Sequence, residues 1–182
     1  EGMKMLLEGV GPALIENAGR MAGMPVGPLA VADEVSLDLM QHVRKQTRAD
    51  LGDAYRPNAT DEVLRIMIGE CGRHGKKARA GFYDYPEGAK KRLWPELSKR
   101  FPTRADQPDA TELARRFLDA QARETARCLE EGVVTDRRDA DVGSVLGWGF
   151  SPALGGAASV TIAGFRSGAH APSGRTATTQ TQ

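Results

Sequence analysis

Apolar residues recur every three or four positions through most of the chain, a spacing that predicts amphipathic helices. A short helix is expected to start at Pro12, and a longer one is expected over Pro28–Gly52 with Leu39 and Val43 on its buried face. The N-caps expected for the later helices are Thr60, Asp109 and Thr135. Together these signals predict an all-α fold.

One segment departs from the helical pattern. In Gly81–Tyr85 aromatic residues alternate with small or acidic ones, which predicts a short β arm near 81–85. Phe82, Tyr83 and Tyr85 could form a platform for a ligand or a plug that seals a small helical core. We favour the plug, because only 5% of the residues are aromatic and the rest of the core must come from Leu, Val, Ala and Met.

Two stretches of the chain echo each other. Leu7–Val10 is similar to Glu130–Val133, and Gly23–Pro28 is similar to Gly147–Pro152, with one residue inserted between the paired motifs. Each copy consists of a helix, a Glu-Gly-Val stop, a short helix and a turn that contains proline. This order predicts a tandem duplication, with the two copies packed as a pseudo-twofold pair.

The repeat and the composition divide the chain into three parts. We expect a first helical module with the β arm over residues 1–101 and a second helical module over 102–159. Residues 160–182 are expected to be a disordered tail, since Ser167–Gln182 contains no Leu, Ile, Val, Phe, Trp or Tyr to bury.

The charge balance narrows the classes of partner. With 25 Lys and Arg against 24 Asp and Glu, the net charge of +1 does not favour nucleic acid as a partner. No apolar run is long enough to cross a membrane, and the start has no basic residues ahead of an apolar stretch, so a cytoplasmic location is expected. The chain begins without Met and within a helical pattern, which indicates a piece of a longer protein.

Cysteine and histidine give no sign of a metal centre. Cys71 and Cys128 lie alone in helical patterns and are expected to be buried thiols in a reducing compartment. His42, His74 and His170 are scattered, so no metal site is predicted.

The densest group of charges is Arg73–Arg79, which could bind the phosphates of a nucleotide-like ligand or form a solvated loop. The balanced net charge favours the solvated loop.

Known catalytic and cofactor motifs are missing. Gly9-Val10-Gly11 is followed by Leu14 where a dinucleotide fingerprint needs its third glycine, and neither a P-loop nor a G-x-S-x-G motif occurs. We therefore predict no catalytic, cofactor-binding or metal-binding residue in this chain.

Seven segments, taken in order, resemble the C-terminal region of 3-hydroxyacyl-CoA dehydrogenase, in the duplicated form found in bacterial multifunctional fatty-acid oxidation proteins. The resemblance covers roughly residues 1–159. The segments are Glu8–Val10, Ala22–Leu29, Asp33–Asp38, Gly81–Tyr85, Arg127–Val133, Asp139–Gly143 and Gly147–Phe150.

The resemblance implies an NAD-dependent oxidoreductase of fatty acid β-oxidation. In that family a helical region packs on a Rossmann domain that binds NAD, and it closes over the 3-hydroxyacyl-CoA substrate. The glycine fingerprint, the His–Glu pair and the Asn of the family lie outside the matching segments. This chain alone is therefore expected to hold no NAD and to be inactive, while serving as the substrate-closing part of a dimer or pseudo-dimer.

The resemblance also implies a substrate contact at one turn. Met24, Pro25, Val26 and Pro28 match the turn that faces the acyl part of the cleft in the family. A purely structural turn remains the alternative for these residues. For the whole chain, the alternative is a free-standing helical module that binds a partner protein without catalysis.

Overall fold

Helices dominate residues 1–160, the part of the chain that the computed structural model describes. A π-helical stretch, Arg65–Glu70, continues the fifth helix. The prediction of an all-α fold is confirmed, whereas the predicted tail lies outside the described residues from position 161 onwards. The helices are α1 Gly2–Leu7, α2 Pro12–Met21, α3 Pro28–Val35, α4 Leu37–Leu51, α5 Ala59–Leu64, α6 Leu97–Arg100, α7 Ala110–Glu130 and α8 Arg137–Trp148.

The β arm forms at the predicted place. Strand β1, Tyr83–Asp84, pairs antiparallel with β2, Arg92–Leu93, so that Tyr83 lies opposite Leu93. Phe82 and Tyr83 are buried in the hydrophobic core, as the plug interpretation predicts.

The main core extends past the predicted boundary between modules. Helix α7 packs along α2, and its Leu113 and Phe117 join the same buried cluster as Met5 and Ile15 of the first helices. The first half of α7 therefore completes the core of the residues before it. The division at 101/102 stays a prediction.

The single helix expected over Pro28–Gly52 is wrong, because the structure breaks it at Ser36. The φ of Ser36 is 81°, and the amide of Leu37 donates to the carbonyl of His74 at 3.0 Å instead of continuing α3. Leu39 and Val43 are each 52% exposed, so they do not form the predicted buried face. The spacing of apolar residues continues without interruption from α3 into α4, so the sequence pattern gives no sign of the break.

Two of the three predicted caps are wrong by one or two residues. Asp109 caps α7 by accepting from the amide of Thr111, as expected. Asn58 rather than Thr60 caps α5, and it forms a capping box with Asp61. Asp136 rather than Thr135 caps α8. In both cases the amide or carboxylate side chain occupies the N-cap in preference to the threonine hydroxyl.

A buried glutamate from another helix caps α3. Gly27, the N-cap of α3, has no side chain, and Glu16 of α2 takes its place. Its Oε1 accepts from the amides of Leu29 at 2.7 Å and Ala30 at 3.4 Å, and its Oε2 accepts from the hydroxyl of Tyr83 at 2.6 Å. A negative charge at this end of a helix is favourable because the amides there lack partners within the helix.

A buried aspartate fixes the β arm at the other end of α3. Oδ1 of Asp33 accepts from the amide of Phe82 at 2.8 Å. Oδ2 accepts from the amide of Tyr83 at 2.9 Å and from the hydroxyl of Tyr85 at 3.0 Å. Glu16 and Asp33 therefore join the arm to α2 and α3 through buried hydrogen bonds.

The same kind of cap occurs after α8. Asp141 of α8 accepts from the amide of Ser159 at 3.0 Å and from its hydroxyl at 2.7 Å, at the start of the helical backbone that begins at residue 157. A Cβ on Gly156 would collide with Asp141, just as one on Gly27 would collide with Glu16. This correspondence supports the predicted duplication, but it pairs Gly27 with Gly156 and so differs from the Pro28–Pro152 pairing of the sequence.

We predict that Gly27→Ala lowers the free energy of unfolding by about 1–3 kcal/mol, the usual cost of overpacking. The φ of Gly27 is −65°, which alanine adopts freely, so the loss arises mainly from the collision of the new methyl group with the Glu16 carboxylate. Urea unfolding of the purified chain measures it.

The matched control is Gly143→Ala in α8, where a Cβ meets no atom within 4 Å. This change should leave stability equal or raise it by up to about 1 kcal/mol through helix propensity. Equal effects of the two substitutions would contradict the role given to Glu16.

Candidate functional site

An apolar cleft of about 370 Å³ opens between α1, α3, α4, α5 and α7. Its apolar walls include Met3, Met24, Val31, Met40 and Phe117. Such a surface can hold an alkyl chain, and the flexible thioethers of three methionines suit chains of different length.

The turn between α2 and α3 supplies one edge of this cleft. Met24 and Pro28 line it, whereas Pro25 and Val26 are exposed on the turn and do not. Gly19 of α2 lies beneath the turn, where an added Cβ would come within 2.5 Å of Pro28 and 3.3 Å of the Met24 sulfur. The absence of a side chain at Gly19 lets the turn pack directly on α2, which fixes the two lining residues.

The Arg73–Arg79 cluster holds the arm in place. The guanidinium of Arg73 donates to the carbonyls of Gly81 and Tyr83 and to Asp84 at 2.6 Å, and it lies 4.3 Å from the Trp94 ring centroid. The remaining pairs are His74 with Asp38, Lys76 with Glu34 and Arg79 with Glu87. Most of its charge is therefore balanced by carboxylates, which disfavours phosphate binding there.

A second cleft, of about 400 Å³, lies between α4 and α5, and sequence reasoning missed it. We call it the basic cleft; the residues that define it are Arg44, Lys45, Arg48, Tyr55 and Asp61. The signal available in the sequence was the concentration of three cations at positions 44, 45 and 48 of one helix. Because the net charge of the whole chain is only +1, this local excess of cations was overlooked.

Asp61 is the most strongly bound carboxylate of the basic cleft. Arg44 donates to both of its oxygens, at 2.6 and 3.1 Å, and the hydroxyl of Tyr55 donates at 2.5 Å. The bonds from Arg44 hold the pKa of Asp61 well below its usual value; burial opposes this, and bonds from Tyr55 and the amide of Asn58 add to the lowering.

The part of the chain that the structure describes has neither a cluster of metal ligands nor a membrane-spanning helix. Across residues 1–160 no group of three or more His, Cys, Asp or Glu side chains is arranged to hold a metal ion. Within the same range no helix is long and apolar enough to cross a bilayer.

Cys71 and Cys128 are partly exposed, so the expected burial of both thiols is wrong.

The first half of the chain matches a known domain family. Residues 1–85 match the family model of the 3-hydroxyacyl-CoA dehydrogenase C-terminal domain. The resemblance inferred from the ordered segments is thereby confirmed.

Curated relatives extend the similarity beyond the matched half. The chain is similar to the fatty acid oxidation complex subunit alpha of Shewanella amazonensis, 34% identical over 160 residues, and to that of Shewanella loihica, 35% identical over 161 residues. Each match covers 86% of this chain and 22% of the relative. The chain thus spans about a fifth of the length of the relatives it matches.

The end of the family match coincides with a structural feature, the part of the β arm that Asp33 holds. The match ends at Tyr85, the last aromatic residue that Asp33 holds in the arm. The turn at Met24–Pro28 and the basic cleft from Arg44 to Asp61 lie within it, whereas Phe117, which completes the apolar cleft, comes from α7 beyond it.

We predict that Asp61→Asn lowers the free energy of unfolding at neutral pH by about 1–3 kcal/mol, because it removes charge-assisted hydrogen bonds from a partly buried arginine. The pKa of Asp61 is lower in the folded chain than the value of about 3.9 expected when unfolded. Its contribution is therefore present above that unfolded pKa and is lost as the pH falls below it.

Urea unfolding between neutral and acidic pH measures this dependence. The loss of stability on acidification should be smaller in Asp61→Asn than in the unmodified chain. Asp119→Asn, at an exposed position of α7, is the control and should keep the full acid dependence. An unchanged pH profile in Asp61→Asn would refute the assignment.

Proposed function

We propose that this chain is the substrate-closing and dimerisation region of an NAD-dependent 3-hydroxyacyl-CoA dehydrogenase of fatty acid β-oxidation. The observation that carries the proposal is the apolar cleft edged by Met24 and Pro28, within residues that match the dehydrogenase C-terminal domain. In this role the cleft encloses the acyl chain of a 3-hydroxyacyl-CoA while its hydroxyl carbon is oxidised to a ketone.

In such an enzyme, NAD binds to a domain other than the one formed by residues 1–160. A dinucleotide needs parallel strands followed by helix N-termini, and residues 1–160 contain only a two-stranded antiparallel ribbon. The residues present therefore do not fit NAD, and we assign no step of hydride or proton transfer to them. The chain alone is proposed to be inactive.

Exposed apolar surfaces support contact with further protein. Val31, Val35, Leu39 and Val43 are 38–52% exposed on α3 and α4, next to the apolar cleft. Exposed apolar residues that are close together commonly mark an interface. We assign this face to the Rossmann domain, which would close the cleft.

Helix α8 has a second exposed apolar face. Val142 and Trp148 are each 56% exposed, and Leu146 is 80% exposed. This face is our candidate for the dimer or pseudo-dimer contact.

A chimaera tests the proposal. Residues 1–160 of this chain should replace the matched region of the Shewanella amazonensis alpha subunit and retain NAD-dependent oxidation of 3-hydroxybutyryl-CoA, followed by NADH absorbance. A deletion of the same region is the control and should lose the activity, because the cleft would no longer enclose the substrate. The 182-residue chain alone should give no NADH.

An inactive chimaera that folds, as judged by its circular dichroism and melting temperature, would contradict the proposal. It would favour the alternative, a helical module that binds a partner protein without catalysis. The specific observation that favours this alternative is the exposed apolar face of α3 and α4.

In the active chimaera, Met24→Ala should lower kcat/KM more for long than for short 3-hydroxyacyl-CoAs, by about 1–3 kcal/mol in transition-state stabilisation. The shortened side chain removes apolar contacts that only a long acyl chain reaches. Val26→Ala is the matched control, since Val26 belongs to the same turn but does not line the cleft. A uniform loss across chain lengths, with a lowered melting temperature, would assign Met24 a structural role.

A further inference from the structure

The proposed function leaves the basic cleft unused. We propose that this cleft, between α4 and α5, is a binding site for a phosphate group that carries close to two negative charges, with Arg48 and Lys45 as its anion-binding residues. The argument rests on which of its charges are already neutralised and on how Arg48 is held.

Four cations line the cleft against two carboxylates, and both carboxylates are occupied. Asp61 pairs with Arg44 at 2.6 Å, and Glu62 pairs with Arg65 at 2.7 Å. Arg65 also pairs with Glu70 at 2.6 Å, on the rim beyond the lining residues. Two of the four cations are therefore neutralised within the protein.

The other two cations have no such partner. Within residues 1–160 neither Arg48 nor Lys45 lies within ion-pair distance of a carboxylate. Asp50, the carboxylate nearest to Arg48 along α4, accepts a hydrogen bond from Gln46 at 2.7 Å. An excess of about two positive charges thus faces the cleft, which matches the charge of a phosphate monoester.

The guanidinium of Arg48 has no carboxylate partner, and it is also held in a fixed orientation. Its guanidinium carbon lies 5.1 Å from the Tyr55 ring centroid. Tyr55 is itself fixed, because it is 8% exposed and its hydroxyl donates to Asp61. A guanidinium that rests on an immobile ring keeps its N–H donors available in one plane, the geometry that binds two phosphate oxygens together.

The basic cleft adjoins the apolar cleft along the same two helices. Met40 and Thr60 line the apolar cleft, and the next residues, Gln41 and Asp61, line the basic one. Arg48 is eight residues beyond Met40, or about 12 Å along the helix axis. Two sources can supply such a phosphate group. One is free inorganic phosphate, and the other is the phosphate monoester of an acyl-coenzyme A whose acyl group lies towards Met40.

Isothermal titration of the 182-residue chain with inorganic phosphate, coenzyme A and dephospho-coenzyme A tests the site. Arg48→Gln should weaken phosphate-dependent binding about tenfold or more, as expected for the loss of a charge-assisted pair of hydrogen bonds. Lys45→Gln should weaken it less, and Arg48→Lys should give an intermediate affinity because it keeps the charge but loses the fork.

The matched control is Arg115→Gln, which removes the same charge from an exposed position of α7 outside the cleft. Its affinity should equal that of the unmodified chain. Stronger binding of coenzyme A than of dephospho-coenzyme A and inorganic phosphate identifies the source as coenzyme A. Equal binding of coenzyme A and inorganic phosphate identifies free phosphate.

Absence of binding by every probe would overturn the proposal, and so would equal losses in Arg48→Gln and Arg115→Gln, which indicate non-specific attraction. If Arg48→Gln lowers the melting temperature, Arg48→Lys decides the outcome, because it retains a cation over Tyr55. The chimaera assay measures dehydrogenase activity independently, so failure of this site leaves the proposed function standing.

Discussion

The fold depends on two buried carboxylates at the two ends of one short helix. Glu16 satisfies the first amides of α3, and Asp33, near its end, satisfies the amides of the β arm. Burial raises the pKa of Asp33, which the bonds from Phe82, Tyr83 and Tyr85 and the charge of Arg73 oppose. Removing either carboxylate would leave buried donors unpaired, at about 1–3 kcal/mol for each.

These two carboxylates also determine the candidate site. Because Glu16 occupies the space beside Gly27, the turn before α3 must pass close to α2, and this brings Met24 and Pro28 to the edge of the apolar cleft. Because Asp33 occupies the space beside Gly81, the arm must lie against the C-terminal end of α3. Polar contacts inside the core thus help to position both the turn that edges the apolar cleft and the arm.

The sequence was sufficient for the features that local chemistry controls. Helix spacing, prolines in first turns and aromatic alternation predicted the all-α fold and the arm. The break at Ser36 and the cap provided by Glu16 depend on partners 38 and 13 residues away, His74 and Leu29, so no local pattern indicated them. The basic cleft was missed because the balanced net charge drew attention away from the cations of α4, and because Tyr55 and Asp61 meet Arg44 only when α4 and α5 pack.

Helix α4 shows how the fold separates stability from recognition. Among its residues only Leu37 is buried, and the helix is held at its start by the His74 carbonyl and at its middle by the Arg44–Asp61 pair. In addition, Leu37 lies in the core and Met40 packs against it, whereas Leu39, Val43 and Leu51 stay exposed. Its exposed valine and leucine residues are therefore free to contact another protein surface, while its unpaired cations face the basic cleft.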